Sequence, residues 1–227
     1  MNMEINPSEY KILIVDDVMS NVLLLKVLLT NEKFAIATAN NGRQALEQVD
    51  KERPDLLLLD VMMPDLSGFE VAQRLKSNPD TADIPIIFLT ALNSTTDIVK
   101  GFQAGASDFI SKPFNKEELI IRVTHQISLV AAKRIILNKT EELQRIIAGR
   151  DKLYSVIAHD LRSPMGSIKM VLNMLMLNLP VEKIGGEMYE LLTMANRTTE
   201  DVFSLLDNLL KLSLIHISEP TRLDVIS

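Results

Sequence analysis

Four consecutive leucines, Leu56–Leu59, constrain the fold more than any other part of the chain. An apolar run without alternating polar residues is typical of a strand that is buried on both faces. Asp60 follows the run, and Pro64 indicates that the chain has left the sheet. Open α/β sheets bind ligands at the carboxyl ends of their strands, so Asp60 is a candidate functional residue. A lone Asp after a strand more often caps a turn or a helix, so other residues must show whether Asp60 has a functional role.

Four further segments have the character of buried strands, and helical segments separate them. The predicted strands are Ile12–Val15, Phe34–Ala39, Ile84–Leu89 and Ser107–Ile110. One predicted helix covers Asn21–Leu29. A second begins with Asn41 as its cap and Gln44 at the third position, and a third begins at the capping box of Ser67 and Glu70. The fourth covers Thr95–Gln103 and is followed by a Gly105 cap. Strict alternation of strands and helices predicts an α/β fold with a doubly wound, five-stranded parallel sheet in the order 2-1-3-4-5.

Polar residues follow the strands that flank the switch point of this sheet. Asp16 and Asp17 follow the first strand, Asp60 ends the third, and Thr90 and Lys112 follow the fourth and fifth. Crowded carboxylates repel one another, and one would take up a proton unless a cation is present. An all-oxygen site suits Mg²⁺ or Mn²⁺, and a lysine supplies a point charge for a phosphoryl oxygen. These residues predict phosphoryl transfer to a carboxylate.

Residues 10–130 resemble the receiver domain of two-component response regulators. The resemblance rests on Asp16-Asp17, on Asp60 before Val-Met-Met-Pro, on Thr90-Ala91 and on Lys112-Pro113-Phe114, which occur in family order and spacing. A degenerate receiver that keeps only the fold is the alternative, and the intact acidic and switch positions disfavour it.

The resemblance implies a role for each matched residue. Asp60 would be the phospho-acceptor, and Lys112 and Thr90 would assist catalysis. Thr90 and Phe109 would occupy the switch positions, and the Lys112–Pro113 bond is often cis in the family. The metal ligands would be Asp17, Asp60 and the backbone carbonyl of Met62, with Asp16 assisting through water.

The second half of the chain predicts long helices. A helix opens at Asn115–Glu118, and its apolar seam continues with no proline before Pro164. We expect a helical coiled-coil linker over 131–150. A regular seam then runs from Tyr154 to Leu175, and on its register His159 faces water. A solvated histidine is the usual interpretation, but Asp160 can orient the imidazole or take its proton. Pro164 inside a helix lowers helix stability by about 3 kcal/mol, and a kink below a reactive residue would be a reason for it.

A returning helix has a heptad seam from Met188 to Leu212, and Leu192, Leu206 and Leu210 widen it. Two such stripes are too wide to bury against each other, so we predict a homodimer that forms a four-helix bundle. Residues 154–167 resemble the H-box of sensor histidine kinases, and the likeness extends over the hairpin at 151–213. It implies that His159 is phosphorylated and that Asp160 is its acid/base partner.

The sequence after this hairpin lacks the features of an ATP-binding domain. We therefore expect no ATP site and no autophosphorylation by this chain alone. The expected partners are an ATP-binding kinase domain in cis or in trans and an upstream kinase or phosphotransfer protein. Residues 1–9 are interpreted as an N-terminal tail. Residues 214–227 lack a heptad pattern and contain Pro220, which favours a tail of non-native origin.

Composition excludes several other classes of function. The net charge is −6, and neither a basic block nor an aromatic platform predicts nucleic-acid binding. No cysteine is available for a disulfide or a thiolate metal site, and no apolar run approaches the roughly 20 residues of a membrane span. The acidic, polar N-terminus does not resemble a signal peptide, so we expect a cytoplasmic protein without membrane contact.

Three functional hypotheses follow. In the first, phosphorylation of Asp60 controls the His159 hairpin of a hybrid histidine kinase; an unbroken helix from Lys116 to His159 would span about 65 Å, which favours control over direct relay. In the second, the chain is a catalytically silent dimeric scaffold or phosphotransfer module that competes with full-length kinases. The third, a hydrolase with an Asp nucleophile, is remote because the expected Asp-x-Asp motif occurs at neither acidic strand end.

Overall fold

The structure is a computed structural model that describes residues 6–91, 95–178, 182 and 185–218. The side chains of residues 95–98 and 209–218 are not described. The chain divides into two compact units, Met1–Ile136 and Leu137–Ser227, and each is described by itself. Residues 219–227, most of the predicted C-terminal tail, lie outside the described part of the chain, as does the predicted Leu179–Pro180 turn.

The first unit contains the predicted parallel sheet. Its strands are β1 (Lys11–Val15), β2 (Ala35–Ala39), β3 (Leu56–Asp60), β4 (Ile86–Thr90) and β5 (Asp108–Ser111). All neighbours are parallel in the order β2-β1-β3-β4-β5, which confirms the predicted topology. The helices between the strands are α1 (Met19–Asn31), α2 (Gly42–Glu52), α3 (Gly68–Ser77) and α4 (Thr95–Gln103). A short 3₁₀ turn, Pro7–Glu9, precedes β1.

The leucines of β3 are buried on both faces of the sheet, as their uninterrupted run predicts. Leu57 and Leu59 pack in one core cluster with residues of α2 and α3. Leu56 and Leu58 pack in the other, which includes residues of α1 and of the helix after β5. All four leucines are fully buried. Because both faces are filled, only the ends of β3 can present polar groups to a ligand.

The helix ends carry the caps that the sequence predicts, with one difference. Ser67 and Glu70 form a complete capping box at α3. The Asn41 side chain accepts the Gln44 N–H, but the Gln44 side chain accepts the Asn40 N–H instead of completing a box with Asn41. Gly105 follows α4 with φ +93°, the left-handed conformation that a glycine cap provides.

Two long helices follow the sheet. Helix α5 (Lys116–Asn178) has 63 residues and contains Pro164, and helix α6 is Gly186–Ser218. The two helices are consistent with the predicted hairpin, although α6 continues five residues past the expected end at residue 213. Among the described residues, no helix contains an apolar segment long enough to cross a membrane.

The first part of α5 belongs to the core of the first unit. Leu119, Val123 and Ile127 are fully buried there, and Ala131 is the last buried residue in this series. One turn later the Arg134 guanidinium donates to Asp55 Oδ1 at 2.6 Å. The packing of α5 on the sheet therefore ends in an ion pair.

In the second unit, one face of α6 packs against α5. Ala158, Thr199 and Leu206 are buried. Among the described side chains, two ion pairs join the helices, Arg162 with Asp207 and Lys169 with Glu200 at 3.2 Å.

Most residues of the predicted heptad seams lie outside this contact, although Leu206, which widens the seam of α6, is buried in it. The other described apolar members of the seams remain partly exposed: Ile157 is 42% exposed, Leu161 46%, Leu191 56% and Leu205 67%. A large apolar surface is thus left unburied by contacts within the hairpin.

Candidate functional site

The three acids at the ends of β1 and β3 lie together. β1 and β3 are hydrogen-bonded neighbours with Val15 opposite Leu59, so the residues that follow meet at one edge of the sheet. Asp16, Asp17 and Asp60 each offer a carboxylate oxygen, and these oxygens lie within 4.8 Å of one another. Asp16 and Asp60 are buried, whereas Asp17 is exposed. The predicted acidic cluster is confirmed.

Lys112 bridges the two buried carboxylates. Its ammonium group lies 2.7 Å from Asp16 Oδ2 and 2.8 Å from Asp60 Oδ2. The residue directly follows β5, its N–H donates to the Thr90 carbonyl, and its peptide bond to Pro113 is cis. Lys112 therefore places a positive charge beside the acids at the ends of both β1 and β3.

The environment shifts the pKa values of this pair. Burial raises the pKa of the Asp60 carboxyl group, and the Asp16 charge adds to that effect. The hydrogen bond and charge of Lys112 and the Met62 N–H act in the opposite direction, without reversing it. Burial alone would lower the pKa of Lys112, but its hydrogen bonds to Asp16 and Asp60 and their charges raise it above the ordinary value. Lys112 is therefore cationic at neutral pH.

Asp16 is held by protein donors that sequence reasoning missed. The Asn21 side-chain amide lies 3.1 and 3.0 Å from the two Asp16 oxygens, and the Val18 N–H donates to Oδ1 at 2.9 Å. With Lys112 on Oδ2, both oxygens already have partners. This bonding favours an Asp16 that assists a metal ion through water. The sequence signal that could have identified Asn21 is its position in the first turn of α1, four residues after Asp17.

The donor set fits a divalent cation. Three convergent carboxylates supply the hard oxygen ligands that Mg²⁺ prefers, and few protein ligands leave room for water and a phosphate. The Met62 side chain is 66% exposed, and its N–H donates to Asp60 Oδ1 at 3.3 Å. The assignment of the Met62 carbonyl as a ligand stays a prediction.

Gly68 is a second residue whose role in the site was missed. Its N–H donates to the Val61 carbonyl, so the loop after β3 folds back onto the strand end. A Cβ at residue 68 would lie 2.2 Å from the Asp60 carbonyl oxygen and 3.0 Å from Val61 Cα. Backbone atoms cannot move aside cheaply, so only glycine permits this approach. The sequence signal was present in the capping box, but it was interpreted only as a helix start.

The predicted switch residues lie at the neighbouring strands. Thr90 is buried and pairs with Ser111 at the ends of β4 and β5. The half-buried Phe109 ring packs against Phe102 with ring centroids 4.9 Å apart. A Cβ on Gly101 would lie 2.5 Å from the Phe109 ring, so α4 approaches this ring as closely as glycine allows.

His159 and Asp160 form a separate candidate site in the second unit. The His159 ring is 83% exposed and the Asp160 carboxylate 71% exposed. His159 Nδ1 lies 3.2 Å from Asp160 Oδ1. With a proton on Nδ1 shared with Asp160, the lone pair of the other ring nitrogen, Nε2, faces solvent. The predicted outward orientation of His159 is thus present.

Known proteins match the first unit of the chain. The family model for the response regulator receiver domain matches residues 12–124. Response regulator PleD of Caulobacter vibrioides is 42% identical over 140 residues, 62% of this chain and 30% of that protein. The DNA-binding response regulator MtrA of Mycobacterium tuberculosis is 42% identical over 113 residues, 50% of this chain and 48% of that protein. The chain thus spans less than half the length of these relatives.

Solved structures also match about half of the chain. A response regulator described as putative from Chloroflexus aurantiacus superposes with a TM-score of 0.51 at 34% identity, covering 52% of this chain and 98% of that one. The receiver domain of a signal transduction histidine kinase from Syntrophus aciditrophicus superposes with a TM-score of 0.50 at 36% identity, covering 52% of this chain and 90% of that one.

Proposed function

The chain belongs to the response regulator receiver domain family through residues 12–124, and on that basis we propose that it is a two-component signalling protein phosphorylated on Asp60. Receiver domains are phosphorylated on an aspartate and bind Mg²⁺ through an acidic cluster. The observation that carries the assignment of Asp60 is its pairing with Lys112 at 2.8 Å inside the cluster with Asp16 and Asp17.

The geometry supports a separate role for each residue of the site. An Asp60 carboxylate oxygen would form a bond to the phosphorus of a small phosphodonor while the bond to the donor's leaving group breaks. Lys112 would bind a phosphoryl oxygen, and the Met62 N–H, already near Asp60 Oδ1, would orient the acceptor. Asp17 and Asp60 would hold Mg²⁺, with Asp16 assisting; the bound ion neutralises phosphoryl charge.

We further propose that the receiver regulates a histidine phosphoacceptor hairpin. Helix α5 carries core residues of the first unit at Leu119–Ile127 and continues to His159. A change in the packing of α5 on the sheet would therefore act on the helix that bears the histidine. The similarity to a receiver that belongs to a histidine kinase of Syntrophus aciditrophicus supports this combination.

His159 would accept a phosphoryl group on Nε2. Its Nδ1 contact with Asp160 favours the tautomer in which Nε2 has a free lone pair, and Asp160 would take up the proton that the ring releases. The donor would be the terminal phosphate of ATP held by a kinase domain in cis or in trans. An upstream kinase or phosphotransfer protein would supply the phosphoryl group that Asp60 accepts.

A second copy of the chain is the proposed partner of the hairpin. The exposed seam residues on both helices, such as Leu161 and Leu205, would bury their apolar surface in a four-helix bundle. The seams repeat every seven residues, the period that knobs-into-holes packing requires. The oligomeric state measured by light scattering tests this partner, with Leu161→Glu and Leu205→Glu expected to yield monomers.

The function is tested at each site separately. With acetyl phosphate and Mg²⁺, we expect the wild-type chain to be labelled and Asp60→Asn to remain unlabelled; Asp65→Asn is the matched control. A label on Asp60→Asn would refute the assignment.

For the hairpin, a separately supplied ATP-binding kinase domain should label the wild type and His125→Gln, but not His159→Gln. Absence of label on the wild type would favour the alternative, a dimeric scaffold that carries out no chemistry.

A further inference from the structure

Arg162 lies on the same surface of α5 as His159. Residues three apart on a helix are neighbours, with Cβ atoms about 5–6 Å apart. The Arg162 guanidinium donates to Asp207 Oδ1 on α6, and Lys169 and Glu200 form the other ion pair described between these helices. Arg162 is thus a neighbour of His159 on α5, and its ion pair with Asp207 joins α5 to α6.

The Arg162–Asp207 pair can be exchanged for another at low cost. The two side chains are 43% and 56% exposed, and ion pairs at this exposure contribute little stability. An Asp207 carboxylate that loses its partner would be hydrated by water. A phosphoryl group on His159 would bring about two negative charges and three acceptor oxygens. The planar guanidinium fork binds such a group through two parallel hydrogen bonds.

We propose that Arg162 is a positioning residue for the phosphohistidine: it is held by Asp207 while His159 is unmodified and moves to the phosphoryl oxygens when His159 is phosphorylated. The inference rests on the proposed role of His159. It adds a consequence for the hairpin, because the phosphorylated state loses one of its two described ion pairs between helices. The pair of Lys169 and Glu200 stays in place, ten residues beyond the histidine.

Phosphoramidate tests the proposal without a kinase. A ring nitrogen of His159 forms a bond to phosphorus, the P–N bond of phosphoramidate breaks, and ammonia leaves with the proton that the ring releases. This reagent labels an exposed imidazole whether or not the chain acts in a phosphorelay. The labelling experiment therefore succeeds or fails independently of the kinase experiment above. Label at His159 is measured by mass spectrometry relative to label at the exposed His125.

The two partners of the ion pair are expected to have opposite effects. Arg162→Gln should lower the relative initial labelling rate of His159 roughly fivefold, because a cation beside the incoming group is lost. Asp207→Asn should raise it about twofold or more, because Arg162 is released. Glu200→Gln, the matched control in the other ion pair, should leave it unchanged. Effects of the same sign in Arg162→Gln and Asp207→Asn would show a structural role and overturn the proposal.

A spectroscopic measurement gives a second, independent readout. The side-chain N–H signals of Arg162 should shift when wild-type His159 is labelled, and those of Lys169 should not. Unchanged Arg162 signals on a fully labelled chain would also refute the proposal.

Discussion

Replacing Asp60 by asparagine should stabilise the folded protein at neutral pH when divalent cations are absent. Asp60 is 3% exposed and lies in a cluster with two other acids. Burial raises its pKa above the ordinary value, so the folded state holds the ionised form less well than the unfolded chain does. Asparagine keeps the shape and the capacity to accept hydrogen bonds, but it removes the charge.

The magnitude follows from charges that nearly cancel. At an effective dielectric constant of about 20, the contact with Lys112 at 2.8 Å attracts by about 6 kcal/mol. Each acid pair at the 4.8 Å limit repels by about 3.5 kcal/mol, less for the exposed Asp17. The cost of burying the charge therefore decides the sign. We expect a gain of about 1–2 kcal/mol, within the usual range for a single substitution, which corresponds to roughly 2–8 °C in Tm for a chain of this size.

Thermal and urea unfolding in EDTA measure this gain, and its dependence on pH identifies its origin. Because the pKa of Asp60 is raised on folding, the wild type loses stability relative to the variant as the pH rises through the folded-state pKa. The gap should therefore be largest at neutral pH and close as the pH falls and Asp60 takes up a proton. Mg²⁺ should stabilise the wild type more than the variant, because the ion binds the folded acidic cluster.

Asp65→Asn is the matched control for this experiment. Asp65 is exposed and lies outside the cluster, and its φ of +66° suits asparagine equally well. Its substitution should change stability by less than about 0.5 kcal/mol. An Asp60→Asn variant that is less stable than the wild type at pH 7 in EDTA would refute the reasoning, as would a gap that does not depend on pH.

Three further substitutions test the packing around the site and the helices. Gly68→Ala should destabilise by at least about 2 kcal/mol and slow labelling of Asp60 by acetyl phosphate, because its Cβ would lie 2.2 Å from the Asp60 carbonyl oxygen. Gly149→Ala, with nothing within 4 Å of the added Cβ, should stabilise α5 by about 0.5–1 kcal/mol in urea unfolding. Ser67→Ala should cost about 1 kcal/mol in the same assay, since it removes the capping box with Glu70.

The sequence was sufficient to predict the sheet because its signals are local and repeated. Each strand is an apolar run, each run is followed by a turn and a helical pattern, and strict alternation admits few topologies. The sheet order then places Asp16, Asp17 and Asp60 at one edge without further information. The identity of the acidic cluster was therefore predictable, whereas the contacts within it were not.

The contacts that complete the site depend on distances between segments far apart in the chain. Lys112 meets Asp16 across 96 positions, and only the folded sheet brings its ammonium to both buried carboxylates. Gly68 shows a different limit: it is close to Asp60 in the chain, but its capping box predicts only a helix start and not the close approach to the Asp60 carbonyl.

For the two long helices, the sequence and the tertiary structure determine different features. Heptad spacing determined where their apolar seams lie and that His159 lies outside the seam of its own helix. It did not determine which face of α6 packs on α5. The structure places Thr199 and the flanking seam residue Leu206 in that contact and leaves Leu191 and Leu205, in the middle of the seam, exposed. Periodicity specifies which residues share a face, but the partner of that face is decided by which neighbouring surface fits it in three dimensions.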